Sequence, residues 1–323
     1  MIKFKTNLNK IFLVFFLSLS LIIAGCSEGS GNGSTNSGEL DQYRGGVEHV
    51  KVELESGSPP EVVYDDSTFP FDIILRIENT GEWDIEPNSL RMVLEGFSSQ
   101  RWGEIQDNFI LSNQLIGYDS FFDIEGDFEY VSFDNIEYKE PLTQNTFTHN
   151  YRVRTCYPYG TRVAFTACIN NDARRSSDDD SQLCEGFSQR DFSVSSGPLG
   201  VDLVEQQVVN GRLRLIFTIN QLEFENDEVT LYSPQSLDES CNLREGIRET
   251  QVENNIKISL RDTVVGEFSC SSEGEVRFPT SQRKVTCEAD ISNLETQEIP
   301  MVVNLEYEVE KSFRDSILVE RSN

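Results

Sequence analysis

Side chains that commonly carry catalysis or hold metals are scarce in this chain. Histidine occurs twice, at His49 and His149, so a histidine metal site or a nucleophilic triad is poorly supplied. His149 alternates with Phe147, Tyr151 and Val153 and reads as a half-buried strand residue. No His-Glu-x-x-His, Gly-x-Ser-x-Gly, P-loop or Gly-x-Gly-x-x-Gly sequence is present. Glycoside cleavage needs two positioned carboxylates, and 55 acidic residues leave no pair distinguished from the rest. We therefore expect no catalytic residues, no cofactor and no metal centre. The densest acidic cluster, Asp178, Asp179 and Asp180, could offer oxygen ligands to Ca²⁺, but it lacks the spacing of an EF-type loop and is read as solvated. Trp83, Trp102, Phe121, Phe122, Phe128 and Tyr130 are expected in the core; as an exposed group they would make a platform for a glycan or peptide.

Six of the seven cysteines lie beyond residue 150, at Cys156, Cys168, Cys184, Cys241, Cys270 and Cys287. No Cys-x-x-Cys occurs among them, which argues against zinc knuckles and thioredoxin-type redox chemistry, and an even set fits disulfides in an oxidising compartment. Strand alternation turns Cys270 and Cys287 into one core, so these two are expected to pair. Reading Tyr157-Pro158-Tyr159-Gly160 as a hairpin turn places Cys156 beside Cys168, leaving Cys184 and Cys241 as a clamp between the two halves. A Cys168–Cys184 bond across the polar loop competes with that assignment.

The seventh cysteine has a different setting. Lys3, Lys5 and Lys10 precede an apolar and small-residue run from Ile11 through Ala24, and the run ends Leu21-Ile22-Ile23-Ala24-Gly25-Cys26. This is the layout of a secretory signal; fourteen helical residues would span about 21 Å, short of a ~30 Å hydrocarbon core. The last six residues resemble the lipobox of prokaryotic lipoproteins. That resemblance implies cleavage of residues 1–25, a diacylglyceryl group on the Cys26 thiol, and a chain tethered to a membrane of the cell envelope, facing the exterior or the periplasm. Residues 26–40, rich in Gly, Ser and Asn, would form a flexible stalk, with an Asn-x-Ser sequon at Asn32. Loss of the signal takes the net charge from −28 to −31. Such acidity repels phosphate backbones and excludes nucleic acid as a partner; its simplest use is solubility in a salty exterior.

The elements around these residues are strands. Period-two alternation recurs along the chain, with Phe71, Ile73, Leu75 and Ile77, then Leu213, Leu215, Phe217 and Ile219, then Met301, Val303, Leu305, Tyr307 and Val309 directed inward. The 21 Phe and 10 Tyr suit a folded chain, not a disordered one. Asn79-Thr80-Gly81 and Asn210-Gly211 are turn signals. Between about Ser99 and Lys139 the pattern blurs, as a short helix or an irregular excursion would make it. We expect an all-β chain of two tandem β-sandwich domains, residues 41–197 and 198–321, divided near Ser195–Gly200.

The stretch Leu75-Arg-Ile-Glu-Asn79-Thr80-Gly81 resembles the strand-turn element of immunoglobulin-like modules of the CARDB or late-embryogenesis type. Cys156-Tyr-Pro-Tyr-Gly-Thr161 through Cys168-Ile169 is similar to a segment of archaeal surface proteins without an assigned activity. These resemblances imply location and fold only. The expected function is a lipid-anchored surface protein with a structural, adhesive or assembly role among protein partners, and without catalysis. The alternative is a surface lipoprotein that captures a carbohydrate, peptide or divalent cation.

Overall fold

The alternation of Met301 to Val309 continues in both directions, and the strand it produces is 24 residues long. A computed structural model describes residues 43–66, 69–169, 187–222, 228–262, 264–278 and 282–322. In chain order its strands are β1 (Val50–Leu54), β2 (Val62–Tyr64), β3 (Phe71–Asn79), β4 (Arg91–Glu95), β5 (Asn108–Ile110), β6 (Phe128–Ile136), β7 (Thr146–Ile169), β8 (Phe187–Gln189) and β9 (Phe192–Val194). There follow β10 (Leu199–Val209), β11 (Arg212–Gln221), β12 (Glu228–Tyr232), β13 (Asn255–Asp262), β14 (Gly266–Glu267), β15 (Ser269–Cys270), β16 (Glu275–Arg277), β17 (Gln282–Asp290) and β18 (Gln297–Glu320). Among the described residues α-helix is confined to the four-residue α1 (Ser99–Trp102) and α2 (Glu249–Val252). The chain is all-β with a sandwich arrangement, as the alternation requires.

Two strands organise the molecule. β7 and β18 pair antiparallel over their full 24 residues, from Thr146↔Glu320 to Ile169↔Gln297. Odd-numbered residues of β7 from His149 to Ile169 are buried without interruption. Two smaller sheets cover this face, one ordered β1-β3-β6 and the other β15-β17-β11-β10-β8. The first meets the Thr146 end, where Phe71 of β3 and His149 both contact Trp102. The second meets the Ile169 end, where Phe165 lies 5.8 Å from Phe217 of β11. Buried side chains of both ends belong to one continuous core.

The expected boundary near residue 197 therefore falls within shared sheets. Ser195–Gly200 connects β9 to β10, while β18, from the later half, supplies the whole inner neighbour of β7, and Leu40–Asn323 form one compact unit. The two sandwich ends exist, but two strands run through both. Tyr157-Pro158-Tyr159-Gly160 is straight strand instead of a turn. Pro158 fits because β4 pairs no further than Cys156 and β9 begins at Val163; proline is tolerated where a strand lacks a ladder partner.

That straightness corrects the cysteine assignment. Twelve residues of strand put Cys156 and Cys168 about 40 Å apart, far beyond the ~7 Å Cα limit of a disulfide. Cys156 is bonded instead to Cys241, with Cα atoms 5.7 Å apart, which also excludes a Cys184–Cys241 clamp. Cys168 is disulfide-bonded too, to a partner outside the described residues, and Cys184 itself lies outside them. Cys270 and Cys287 are joined as alternation suggested, as direct register partners of β15 and β17.

Around Cys156 and Glu308 the even-numbered face of β7 and β18 is covered by residues 233–248. The Cys156–Cys241 bond fixes this loop covalently, and a buried ion pair, Arg91 Nη2 to Glu308 Oε1 at 3.0 Å, fixes it by hydrogen bonds. Arg91 Nη1 donates to the carbonyls of Leu237 and Asp238, and Glu308 Oε2 accepts the Leu237 N–H at 2.8 Å. Each buried charge thus faces an opposite charge or backbone dipoles, the condition under which such a pair is tolerated, although Arg91 Nε is buried without a hydrogen bond.

Candidate functional site

Asn79, at the end of β3, organises the loops from which a group of exposed apolar residues projects. Its fully buried amide donates to the carbonyls of Trp83 (2.8 Å) and Leu115 (3.1 Å), and its backbone N–H donates to Asp127 O (2.9 Å). Beyond Leu115 the chain makes a narrow hairpin. Asp127 N–H donates to Ile116 O, and Asp119 and Ile124 exchange backbone bonds of 3.0 and 3.1 Å. At the tip, Asp119 Oδ1 accepts the N–H groups of both Phe121 and Phe122 at 3.0 Å. The Tyr118 hydroxyl donates to the Asp123 carboxylate, which raises the phenol pKa.

This tip is built, yet its rings face water. Phe121 is 81% exposed and Phe122 68%, while Ile124, Ile116, Phe128 and Tyr130 lie between 51% and 57%. The two phenylalanines meet edge-on at 4.8 Å, and Phe128 and Tyr130 of β6 do so at 5.9 Å, with Arg76 over the Phe128 ring. Isolated exposed apolar side chains are ordinary in proteins, but a rigid group of aromatics is not. The start of the described chain lies beside it. Arg44 stacks on Tyr118 at 4.9 Å, and the buried Glu82 carboxylate accepts the N–H groups of Arg44, Gly45 and Ser196.

The expected aromatic set is thus divided. Phe121, Phe122, Phe128 and Tyr130 are at the surface, whereas Trp102 is 1% exposed and packs against Phe71, Phe97, Tyr138 and His149. Trp83 lines a separate groove of about 540 Å³ on the outer sheet face, with Arg162, Arg244, Asp84, Glu86 and Glu306. Its indole lies against Gly160, where a Cβ would fall 2.6 Å from the ring, and Arg162 stacks over it at 4.5 Å.

Neither histidine reaches the surface. His49 Nδ1 shares a 2.6 Å hydrogen bond with the Tyr157 hydroxyl. His149 is enclosed by Phe97, Trp102 and Phe147; its Nε2 is buried without a hydrogen-bond partner, and burial, with Arg101 nearby, lowers its pKa to about 4. Among the described residues no group of three or more His, Cys, Asp or Glu is placed to hold a metal ion. Cys26, Asn32 and Asp178 to Asp180 lie outside the described residues.

Sequence reading missed Ile116, Tyr118 and Ile124 of the hairpin and Arg162 and Arg244 of the groove. The hairpin had a signal, since from Tyr118 to Tyr130 aromatic and acidic residues interleave; the arginines had none. Fold and site together define an all-β sandwich protein that carries a hydrogen-bonded hairpin with exposed aromatic residues. Compared with known proteins, the chain matches no family model and no curated protein.

Proposed function

We propose that this is a lipid-anchored cell-surface protein with an adhesive or assembly role and no catalysis, related in build to immunoglobulin-like surface modules. The observation that carries the reading is the aromatic hairpin. Its tip is held by Asp119 and Tyr118, so little conformational freedom is lost when it docks. Exposed, ordered aromatics are the residue class that dominates protein interfaces. The membrane link is the lipid on Cys26, and the partners are proteins of the same surface. Two measurements test this. Cys26→Ser should move the protein from the membrane fraction to the soluble one or block its maturation. Phe121→Ser with Phe122→Ser should dissolve its high-mass complexes with the melting temperature unchanged. Retention of Cys26→Ser in membranes after partners are stripped refutes the anchor, and intact complexes in the double serine variant refute the assembly role.

A second reading, capture of a carbohydrate, peptide or divalent cation, has the Trp83 groove in its favour. The indole already packs against Gly160 and Arg162 there, so recognition would fall to the arginines and acids more than to stacking. Arg162→Ala should then abolish binding of a captured ligand and leave the hairpin's associations intact.

A further inference from the structure

The hairpin's charge identifies the chemistry of its partner, an inference that rests on the assembly reading above. From Ile116 through Tyr130 the chain carries Asp119, Asp123, Glu125, Asp127 and Glu129 and neither Lys nor Arg. Asp123, Glu125 and Asp127 are exposed beside the equally exposed Phe121, Phe122 and Ile124. We propose that the tip docks into an apolar pocket rimmed by Lys and Arg on a different protein of the same surface.

Three alternatives fail on the same charges. A bilayer would accept the phenylalanines, but the carboxylates around them would lose hydration next to anionic headgroups. A second copy related by a two-fold axis would bring like charges together at the contact. A neutral apolar pocket would bury the rings and leave the acids without compensation at its rim. A basic rim satisfies both parts. The rings supply the buried centre of the interface and the carboxylates its charged border, and the long-range attraction speeds association in a salt-dependent way.

The test uses the full-length chain in the cells that make it, with the photoreactive residue benzoylphenylalanine in place of Phe122 and the adduct sequenced by mass spectrometry. The expected adduct is a protein, joined at a segment with apolar residues flanked by Lys or Arg. Its yield should fall about tenfold when Glu125→Lys is added, a change that leaves the Asp119 and Asp123 bonds of the tip in place, so that the loss is set by charge complementarity. Phe121→Ser, which keeps every charge, should reduce the yield as well, with the urea midpoint unchanged in both cases. A protein adduct lacking basic flanks, or one indifferent to charge reversal, overturns the inference and leaves the assembly reading standing. An adduct only to lipid or to a second copy, or no adduct at all, overturns both.

Discussion

At the scale of single residues, His149 has the clearest measurable consequence. Its folded pKa lies near 4 against an ordinary 6.5, because burial among Phe97, Trp102 and Phe147 disfavours the imidazolium. The unfolded chain therefore binds this proton more readily than the folded one. The associated stability is complete above pH 6.5, declines as pH falls from 6.5 towards 4, and changes no further below that. The loss across the window is about 3 kcal/mol. His149→Phe should remove this component, so that the difference in urea midpoint between variant and parent grows from pH 7 to pH 4. Parallel midpoints across that range would show that the ring titrates freely. Asn79 makes the opposite kind of contribution, through hydrogen bonds instead of charge. Asn79→Ala strips partners from the buried Trp83 and Leu115 carbonyls and should cost about 1 to 3 kcal/mol, with hydrogen exchange rising first at residues 115–127.

Among the elements, the loop of residues 233–248 is the one held from several directions at once. The Cys156–Cys241 bond closes 85 residues of chain, a length for which chain-entropy reasoning gives about 4 to 5 kcal/mol. Cys156→Ser with Cys241→Ser should lower the unfolding free energy by about 2 to 5 kcal/mol. Arg91 and Glu308 should still hold the loop in place, and a non-reduced digest should contain the Cys156–Cys241 peptide. Recovery of Cys156 linked to Cys168 would contradict the straight course of β7. Tyr232, next to this loop, has its phenol pushed up to about 12, first by burial and then by Glu310, Glu249 and Glu253, so it should remain protonated until strongly alkaline pH.

For the whole molecule, the shared strands make divisibility the decisive experiment. A fragment of residues 41–197 lacks β18 and with it the inner neighbour of β7, so it should show neither a cooperative thermal transition nor the near-ultraviolet dichroism of packed aromatics. A sharp transition would show that the first sandwich is autonomous. In the intact chain, a net charge of −28 should make the melting temperature rise smoothly with NaCl as self-repulsion is screened. Much of this architecture was legible from local pattern. The inward sets of β3, β11 and β18 are buried as alternation required, and Asn210 and Gly211 take φ of 52° and 75° in the hairpin between β10 and β11. What failed depended on distant chain. Pro158 and Gly160 are turn residues by local propensity, and only the gap between β4 and β9 lets them lie in a strand. The strands β2, β5 and β9 have three residues each, too few to establish a period. Phe121 and Phe122 had the composition of core residues, and their exposure arises from a hairpin fixed by Asn79, 42 residues earlier.

The pairing of β2 with the end of β18 has a temporal side. Val62 and Tyr64 find their partners at Leu318 and Glu320, and Asp65 accepts the backbone and hydroxyl groups of Ser322 at 2.7 and 2.8 Å. Synthesis at ~5 to 20 residues per second leaves β7 waiting roughly 8 to 30 seconds for its partner. Throughout that interval the apolar row from Tyr151 to Ile169 has no β18 beside it. Contacts this far apart in sequence also close slowly once the chain is complete. Until residue 320 has emerged the nascent chain cannot close its central strand pair, so a protease-resistant core should form only after synthesis is complete.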